Sequence, residues 1–492
     1  MRVSSNTLFD SNVAAMTQQQ ARLMQTQQQV ATGRKILTAS DDPVAAARAL
    51  EVTQSDAMNT QYATNRGAAR HTLSLAESTL QGVTSLLQDV KTATVNAGNG
   101  SLNSSDRRTM ATDLGGRLQE LVGLANSTDG VGNFLFAGFQ SKTQPFVDTS
   151  AGMAYFGDDG QRNVQVSATR QMHSSGNGAD IFMRIEDGNG TFVTQAATAN
   201  TGTGIISQGS IVNSAALTGD SYTIAYAGPS AAAAVVGNAG NGVISTPTVT
   251  SQSAVTGNNY SIAFTVVGST TYTVTNTTTG SAVAGMTDQP YVSGQNISFD
   301  GLQFNITDTP ADSDTFTVSS PGYTVTNTTT STVELPVPPT TGRITHVSGQ
   351  AISFDGIQID IQGTPVAGDS FTVSPSTSES IFKTLSDLID ALNAPVVGAS
   401  LTNSLNHGLN QLDNALNNVL TTRSSLGLRL NEIDALQSAG DDLGLQYKQT
   451  LAELQDVDYN QAISDLVRQQ TNLQAAQQTF SKVAGLSLFD YL

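Results

Sequence analysis

Apolar residues fall into two kinds of register along the chain. Phe9, Met16, Leu23, Val30 and Leu37 recur every seventh residue, and so do Tyr459, Leu466, Leu473 and Phe480 near the other end. A seven-residue apolar repeat winds a helix against a partner. The second core position is weak in both lines, with Gln20 and Gln27 in one and Gln470 and Gln477 in the other. A single apolar line backed by Gln is too thin a stripe to be stable alone. These two ends are expected to pair with each other and with neighbouring copies. A denser register lies inside them. Ala69, Leu73, Ala76, Leu80, Val83, Leu87 and Val90 alternate spacings of three and four, as do Leu405, Leu409, Leu412, Leu416 and Val419, then Leu426, Leu430 and Ile433. Shorter matches run through Leu114, Leu118, Leu121 and Ala125, and through Ile381, Leu385, Leu388 and Leu392. Such stripes are the seams of a multi-helix bundle. One helix from Pro43 to Gly98 would be roughly 84 Å long at about 1.5 Å per residue.

The phase breaks at two matching places. At Ser40-Asp41-Asp42-Pro43, Asp42 is placed to cap a new helix and Pro43 suits its first turn. The second break is Asp456-Val457-Asp458-Tyr459. A hinge between a terminal coiled-coil pair and a larger bundle explains both.

Between the helical ends the periodicity changes from helix to strand. Val292-Ser-Gly-Gln-Asn-Ile-Ser-Phe-Asp-Gly-Leu-Gln is echoed from Val347, and each copy leads to Asp314-Thr-Phe-Thr-Val or Asp369-Ser-Phe-Thr-Val. Tyr272-Thr-Val-Thr-Asn-Thr-Thr-Thr recurs at Tyr323. Gly219-Asp-Ser-Tyr-Thr-Ile and Gly257-Asn-Asn-Tyr-Ser-Ile read as earlier, degraded copies. Alternation with Asp-Gly turns predicts antiparallel strands. The expected class is therefore α+β: a long-helix bundle and coiled coil from both ends of the chain, with an inserted antiparallel all-β module. The expected domains are a terminal pair, 1–42 with 456–492; a helical bundle with a β-hairpin, 43–170 with 378–455; and a β insert with tandem repeats, 171–377.

Composition narrows the function. The chain has 492 residues, 22 Lys+Arg against 40 Asp+Glu, no Cys and no Trp. Residues 185–342 contain no Lys or Arg. A net charge of −18 leaves no basic face for nucleic acid. Without Cys there is neither a disulfide scaffold nor a thiolate metal site. No apolar run is long enough for a membrane helix, and no apolar segment follows the N-terminus as in a cleaved leader. His71, His173, His346 and His407 lie far apart, with no metal-ligand spacing, so no metal and no cofactor is expected. Asp308, Asp312 and Asp314 lack the Glu that completes a calcium loop. Adjacent carboxylates at Asp41-Asp42, Asp158-Asp159 and Asp441-Asp442 do not make a catalytic pair, and neither a nucleophile elbow nor a phosphate loop is present. Asn103, Asn126, Asn189, Asn276, Asn296, Asn305 and Asn327 stand in Asn-Xaa-Ser/Thr triplets, as chance provides in so Thr-rich a chain. The residues alone point to an exported, elongated, non-enzymatic assembly subunit.

Four stretches carry a family resemblance. They are Ala31-Thr-Gly-Arg-Lys-Ile-Leu through Ser40-Asp-Asp-Pro to Leu50; Gly132-Asn-Phe-Leu-Phe-Ala-Gly-Phe with Gln144-Pro-Phe146; Ser425-Leu-Gly-Leu-Arg-Leu-Asn-Glu-Ile; and Leu454 to Ser464, through Gln477-Gln-Thr-Phe, to Ser487-Leu-Phe-Asp-Tyr-Leu492. These resemble the bacterial flagellin family in the form of its hook–filament junction members, over about the first 147 residues and the last 115. The Asp-Asp-Pro and the Phe-Asp-Tyr-Leu ending set it apart from filament flagellin. The resemblance implies a structural subunit that assembles as a ring through its terminal helices. Its implied partners are itself, hook-associated protein 1, flagellin, the filament cap and an export chaperone. It also implies export through the flagellar type III apparatus to an extracellular place on the flagellum. Alternatives are filament flagellin itself, or a surface adhesin or glycan-binding module acting through the β insert. Nothing in the resemblance assigns a role to the insert.

Overall fold

The computed structural model describes residues 5–233, 237–336, 342–395 and 397–489; the last three residues of the Phe-Asp-Tyr-Leu ending lie outside them. Six helices carry the helical ends: α1 (Ser5–Thr32), α2 (Pro43–Ala97), α3 (Ser104–Ala125), α4 (Ile381–Asn393), α5 (Ala399–Gln455) and α6 (Tyr459–Phe489). The three-and-four register of α2 is buried throughout, from Ala69 to Val90, as are Leu405, Leu412, Val419, Leu426 and Ile433 of α5. Asn103 caps α3 by accepting the Ser105 and Asp106 N–H, while Asp106 returns a bond to its backbone.

The chain divides into two compact units. The first comprises residues 1–74, 163–174 and 427–492, and the second residues 75–162 and 175–426. The unit limits thus cut α2 and α5, and the hairpin of Asn163–Ser167 with Arg170–His173 belongs with the terminal helices. That hairpin is tied down by polar contacts. Arg66, almost fully buried, donates from Nη1 to the Val166 carbonyl at 2.9 Å and from Nε to Gln437 at 2.9 Å. Burial holds its pKa below the usual guanidinium value despite the nearby Asp441. Gly440 makes room for it, since a Cβ there would stand 2.3 Å from Arg66 Nη2. Arg170 forms a two-pronged pair with Glu432, at 2.6 and 2.9 Å.

In the second unit, Phe136, Phe146, Phe182 and Phe382 stack into an aromatic cluster with ring centroids 5.3–6.1 Å apart. Two of these, Phe136 and Phe146, come from the family-like stretches after α3, so those motifs build core. Tyr155 closes the cluster, donating to the Phe136 carbonyl at 2.9 Å.

The β insert is two copies of one module, and one copy sits inside a hairpin of the other. In the outer module a five-stranded sheet runs Thr332–Leu335, Gly322–Asn327, Tyr222–Ala227, Ser370–Pro375, Phe192–Ala196. In the inner module the order is Ser281–Ala282, Ser269–Asn276, Asn259–Val267, Thr315–Ser319, Ser230–Ala233. Position by position these five strands match, and the inner sheet adds a sixth, Gln289–Pro290, on Ser269–Asn276. Each faces a second sheet built on a hairpin, Ala351–Phe354 with Ile357–Gln362 in one and Asn296–Phe299 with Leu302–Thr307 in the other. The side chains between each pair of sheets form one core per module. In the outer module, the strands that would form a tight hairpin, Tyr222–Ala227 and Gly322–Asn327, are instead separated by the whole inner module. This corrects one expectation. The segments from Gly219 and Gly257 are not degraded extra copies; each is the first half of one of the two modules, and the later repeats are their second halves.

Several polar residues serve this framework. Asp314 accepts the N–H of Ala239, Gly240 and Ala311, so it braces a loop, while Asp312 accepts from Val266. Asn276 and Asn327 accept two backbone N–H groups each, as turn residues do. Asn126 exchanges two bonds with the Phe146 backbone.

Candidate assembly surface

The ends of the chain meet. Helices α1 and α6 lie antiparallel, with Phe9 against Phe480 (centroids 5.2 Å) at one end and Thr26 donating to Gln469 at 3.0 Å nearer the other. The two phase breaks are stitched together. Lys35 N–H donates to the Gln455 carbonyl at 2.6 Å, and Val457 N–H to the Gly33 carbonyl at 2.9 Å. Gly33 takes φ +71°, and a Cβ there would come within 2.9 Å of the Tyr459 hydroxyl oxygen. Both following helices are capped by an aspartate. Asp42 accepts the Ala45 N–H at 3.0 Å with Pro43 as the first residue of α2, and Asp458 accepts from Asn460 and Gln461 ahead of α6. Asp41 closes the preceding turn through the Thr38 and Leu37 N–H groups, which hold its carboxyl below the usual range.

The heptad residues are only partly covered. Met16, Leu23, Val30, Leu466, Leu473 and Phe480 are half-buried, whereas Phe9 and Tyr459 are each 51% exposed. Leu37 lies beyond the end of α1, in the linker before Pro43, and is half-buried there. The second line of the seam falls three residues after the first rather than four. Asn12, Gln19 and Thr26 on α1, and Ala462, Gln469 and Ala476 on α6, are the covered positions, while Gln20, Gln27, Gln470 and Gln477 face outward. The buried Gln19 Oε1 has no partner. Sequence reading missed this line because at Gln19-Gln20 and Gln469-Gln470 glutamine occupies both candidate positions, where hydropathy does not choose, and at Thr26 and Ala476 the covered residue is small. Beside the seam, Val13, Met24, Ile463 and Val467 are exposed. The apolar stripe is wider than one partner helix covers.

This arrangement can do one thing chemically: offer apolar and amide groups to further helices. Among the described residues no helix is long and apolar enough to cross a membrane.

Comparison with known proteins agrees with the two halves of this picture. Residues 3–141 match the bacterial flagellin N-terminal helical region. Residues 233–320, which cover the inner β module, match the D2-like domain of flagellar hook-associated protein 1. The chain is 40% identical over 185 residues to flagellar hook-associated protein 3 of Salmonella typhimurium; that stretch spans 38% of this chain and 58% of the relative. It is 26% identical to flagellar hook-associated protein 3 of Escherichia coli over 99% of both chains. Among solved structures, the flagellar junction protein of Legionella pneumophila is 27% identical with a TM-score of 0.55, covering 83% of this chain and 100% of that one. With its ends paired as helices and its middle folded as antiparallel sheet, the chain is similar to the flagellin family in the form of the hook-associated proteins 3.

Proposed function

We propose that the chain is the structural subunit that joins the hook of the bacterial flagellum to the flagellin filament. It assembles as a ring of copies through α1 and α6, with hook-associated protein 1 on one side and flagellin or the filament cap on the other. It reaches that extracellular place unfolded, through the flagellar export apparatus with a dedicated chaperone. Its role is mechanical rather than catalytic. The observation that carries this reading is the half-covered α1–α6 seam, which leaves Phe9, Val13, Met24, Ile463 and Val467 exposed in a single copy. Burying a large apolar side chain contributes about 1.5–3 kcal/mol. Neighbouring copies therefore supply stability that the isolated pair lacks, and ordering becomes conditional on place. Asp42 and Pro43, at the stitched break, set the angle at which the pair leaves the first turn of α2.

The test has two parts. Antibody to the β insert should label whole flagella as a single band between hook and filament; label along the filament would make the chain a flagellin, and label on the cell body alone would sink the reading. Leu473→Gln with Phe480→Gln should abolish incorporation into flagella while far-UV circular dichroism of the purified chain stays nearly unchanged. A large loss of helicity would put those residues in the main core instead.

A further inference from the structure

At the base of the outer β module three potential metal ligands from distant parts of the chain converge. Asp187 follows the short strand Ile185–Glu186, and Glu379 ends its antiparallel partner Ser378–Glu379. His407 stands on α5. One ligand atom from each lies within 4.8 Å of the other two. We propose that Asp187, Glu379 and His407 bind a divalent transition-metal ion of the zinc class, clamping the two strands at the base of the insert to α5.

The chemistry favours such an ion. An imidazole nitrogen with two carboxylate oxygens is a donor set for zinc-like metals, whereas calcium and magnesium take oxygen alone. Two carboxylates neutralise a doubly charged cation. A four-coordinate ion with bonds of about 2.0–2.2 Å sets its ligands about 3.3–3.6 Å apart, so from the 4.8 Å limit they need close by at most about 1.5 Å. The burial of Asp187 is a second, independent sign. Its side chain is 7% exposed, and among the described residues no Lys or Arg pairs with it. Its contacts are its neighbour's backbone, the Gly188 N–H at 2.6 Å, and His407 Nε2 at 3.9 Å, too far for a hydrogen bond. A buried carboxylate so poorly compensated is costly unless a cation joins it. The site is also held rigidly. Asn414, two turns along α5, donates to the Glu186 and Gly188 carbonyls at 2.9 and 2.8 Å, and Thr384 donates to Glu379 at 3.0 Å. A cavity of about 520 Å³ opens beside Glu379 and His407, giving an ion an approach and room for water as a fourth ligand. The competing cation is Lys383, whose Nζ lies 3.4 Å from Glu379 Oε2 and also pairs with Asp387.

The full chain, stripped by chelator, is titrated with zinc chloride by calorimetry. One saturable site is expected. His407→Gln and Glu379→Gln should each weaken it at least tenfold, with unchanged circular dichroism, and Lys383→Ala should strengthen it. Zinc should also slow hydrogen exchange at residues 185–188 and 376–379 in the wild type and not in His407→Gln. No saturable binding overturns the proposal. So does binding that survives both substitutions, since the metal then sits on other histidines.

Discussion

The two β modules share one fold and differ in how the chain enters it. Their matching residues do matching work. Tyr222 donates to Asp355 at 2.8 Å in the outer module, and Tyr260 to Asp300 at 2.6 Å in the inner. Asp369 accepts the Thr201, Gly202 and Val366 N–H groups, as Asp314 accepts those of Ala239, Gly240 and Ala311. Phe371 and Phe316 fill the same place in the two cores, both fully buried. They differ at core positions such as Phe304 and Ile359, and at one pair of polar and aromatic groups. The outer module sets Tyr226 against His346, bonded at 2.9 Å, with His346 Nε2 bonded to the Gly363 carbonyl. The inner sets Phe264 against Tyr291, whose hydroxyl donates to the carbonyls of Ile306 and Asp308. The aromatic and hydroxyl roles are exchanged, and each pair still bonds to a backbone carbonyl. A module that tolerates this exchange, and a domain inserted in its hairpin, owes its fold to the two-sheet core and to buried polar braces rather than to particular loops.

The sharpest way to break the comparison is in those cores. Phe371→Ala and Phe316→Ala should each cost about 3–5 kcal/mol, the range for deleting a buried phenylalanine ring. Because the inner module is a continuous stretch of chain, Phe371→Ala should lower an unfolding transition that leaves the inner module folded. Urea unfolding followed by near-UV circular dichroism, with hydrogen exchange to locate the surviving part, checks this. Simultaneous collapse of both modules would mean that they are one cooperative domain and that the internal copy has no independence.

How much of this could be read from sequence follows from the nesting. The second halves of the modules, from Val292 and Val347, keep a common spacing and are plain as a repeat. The first halves, from Gly219 and Gly257, keep a different spacing, because the inner module separates the two halves of the outer one. Linear comparison finds both similarities but does not say which halves belong together; only strand pairing does. The helical seams of α2 and α5 were legible because their apolar residues are unambiguous. The second seam line of α1 and α6 was not, since neighbouring glutamines such as Gln19 and Gln20, or Gln469 and Gln470, have equal hydropathy. His407 gave no sign of a site because its neighbours in space, Asp187 and Glu379, are far from it in sequence and come together only where the insert begins and ends.

A smaller effect should appear in alkali, and in both modules alike. Burial, with the nearby carboxylate adding to it, pushes Tyr222 and Tyr260 up to about 12. A phenol whose folded value lies above its ordinary value of 10.0 holds its proton more tightly in the folded chain. The stability it contributes is complete below that ordinary value and is lost as the pH rises toward about 12. Tyrosinate absorbance should therefore show a late-titrating class, and Tyr222→Phe and Tyr260→Phe should each remove one member of it. If only one substitution does so, the two tyrosine–aspartate pairs are not equivalent, and the matching of the modules fails at that contact.

The smallest expected effect comes from the largest change. Ala227 pairs with Gly322, so the outer strands already stand at hairpin distance where the inner module leaves and rejoins. Replacing residues 228–321 by an Asn-Gly turn supplies the backbone twist such a hairpin needs. Among the described residues, Arg343 binds both ends of the insertion, donating from Nη1 to the Gly228 and Ser320 carbonyls at 2.9 Å each, while its N–H and the Thr345 hydroxyl donate to the Gly257 and Val255 carbonyls. Excision removes these acceptors together with the chain that covers the guanidinium, so the charge returns to water rather than staying buried and unpaired. The core of the outer module, from Phe192 to Val373, keeps its buried neighbours. The shortened chain should thus unfold within about 1 kcal/mol of the outer transition in the full chain, a difference of the size expected for changes away from a core, and should still take its place on the flagellum. A loss of several kcal/mol would show that the outer module leans on the inner one, and the pair would then be a single body grown by duplication rather than one finished module carried within another.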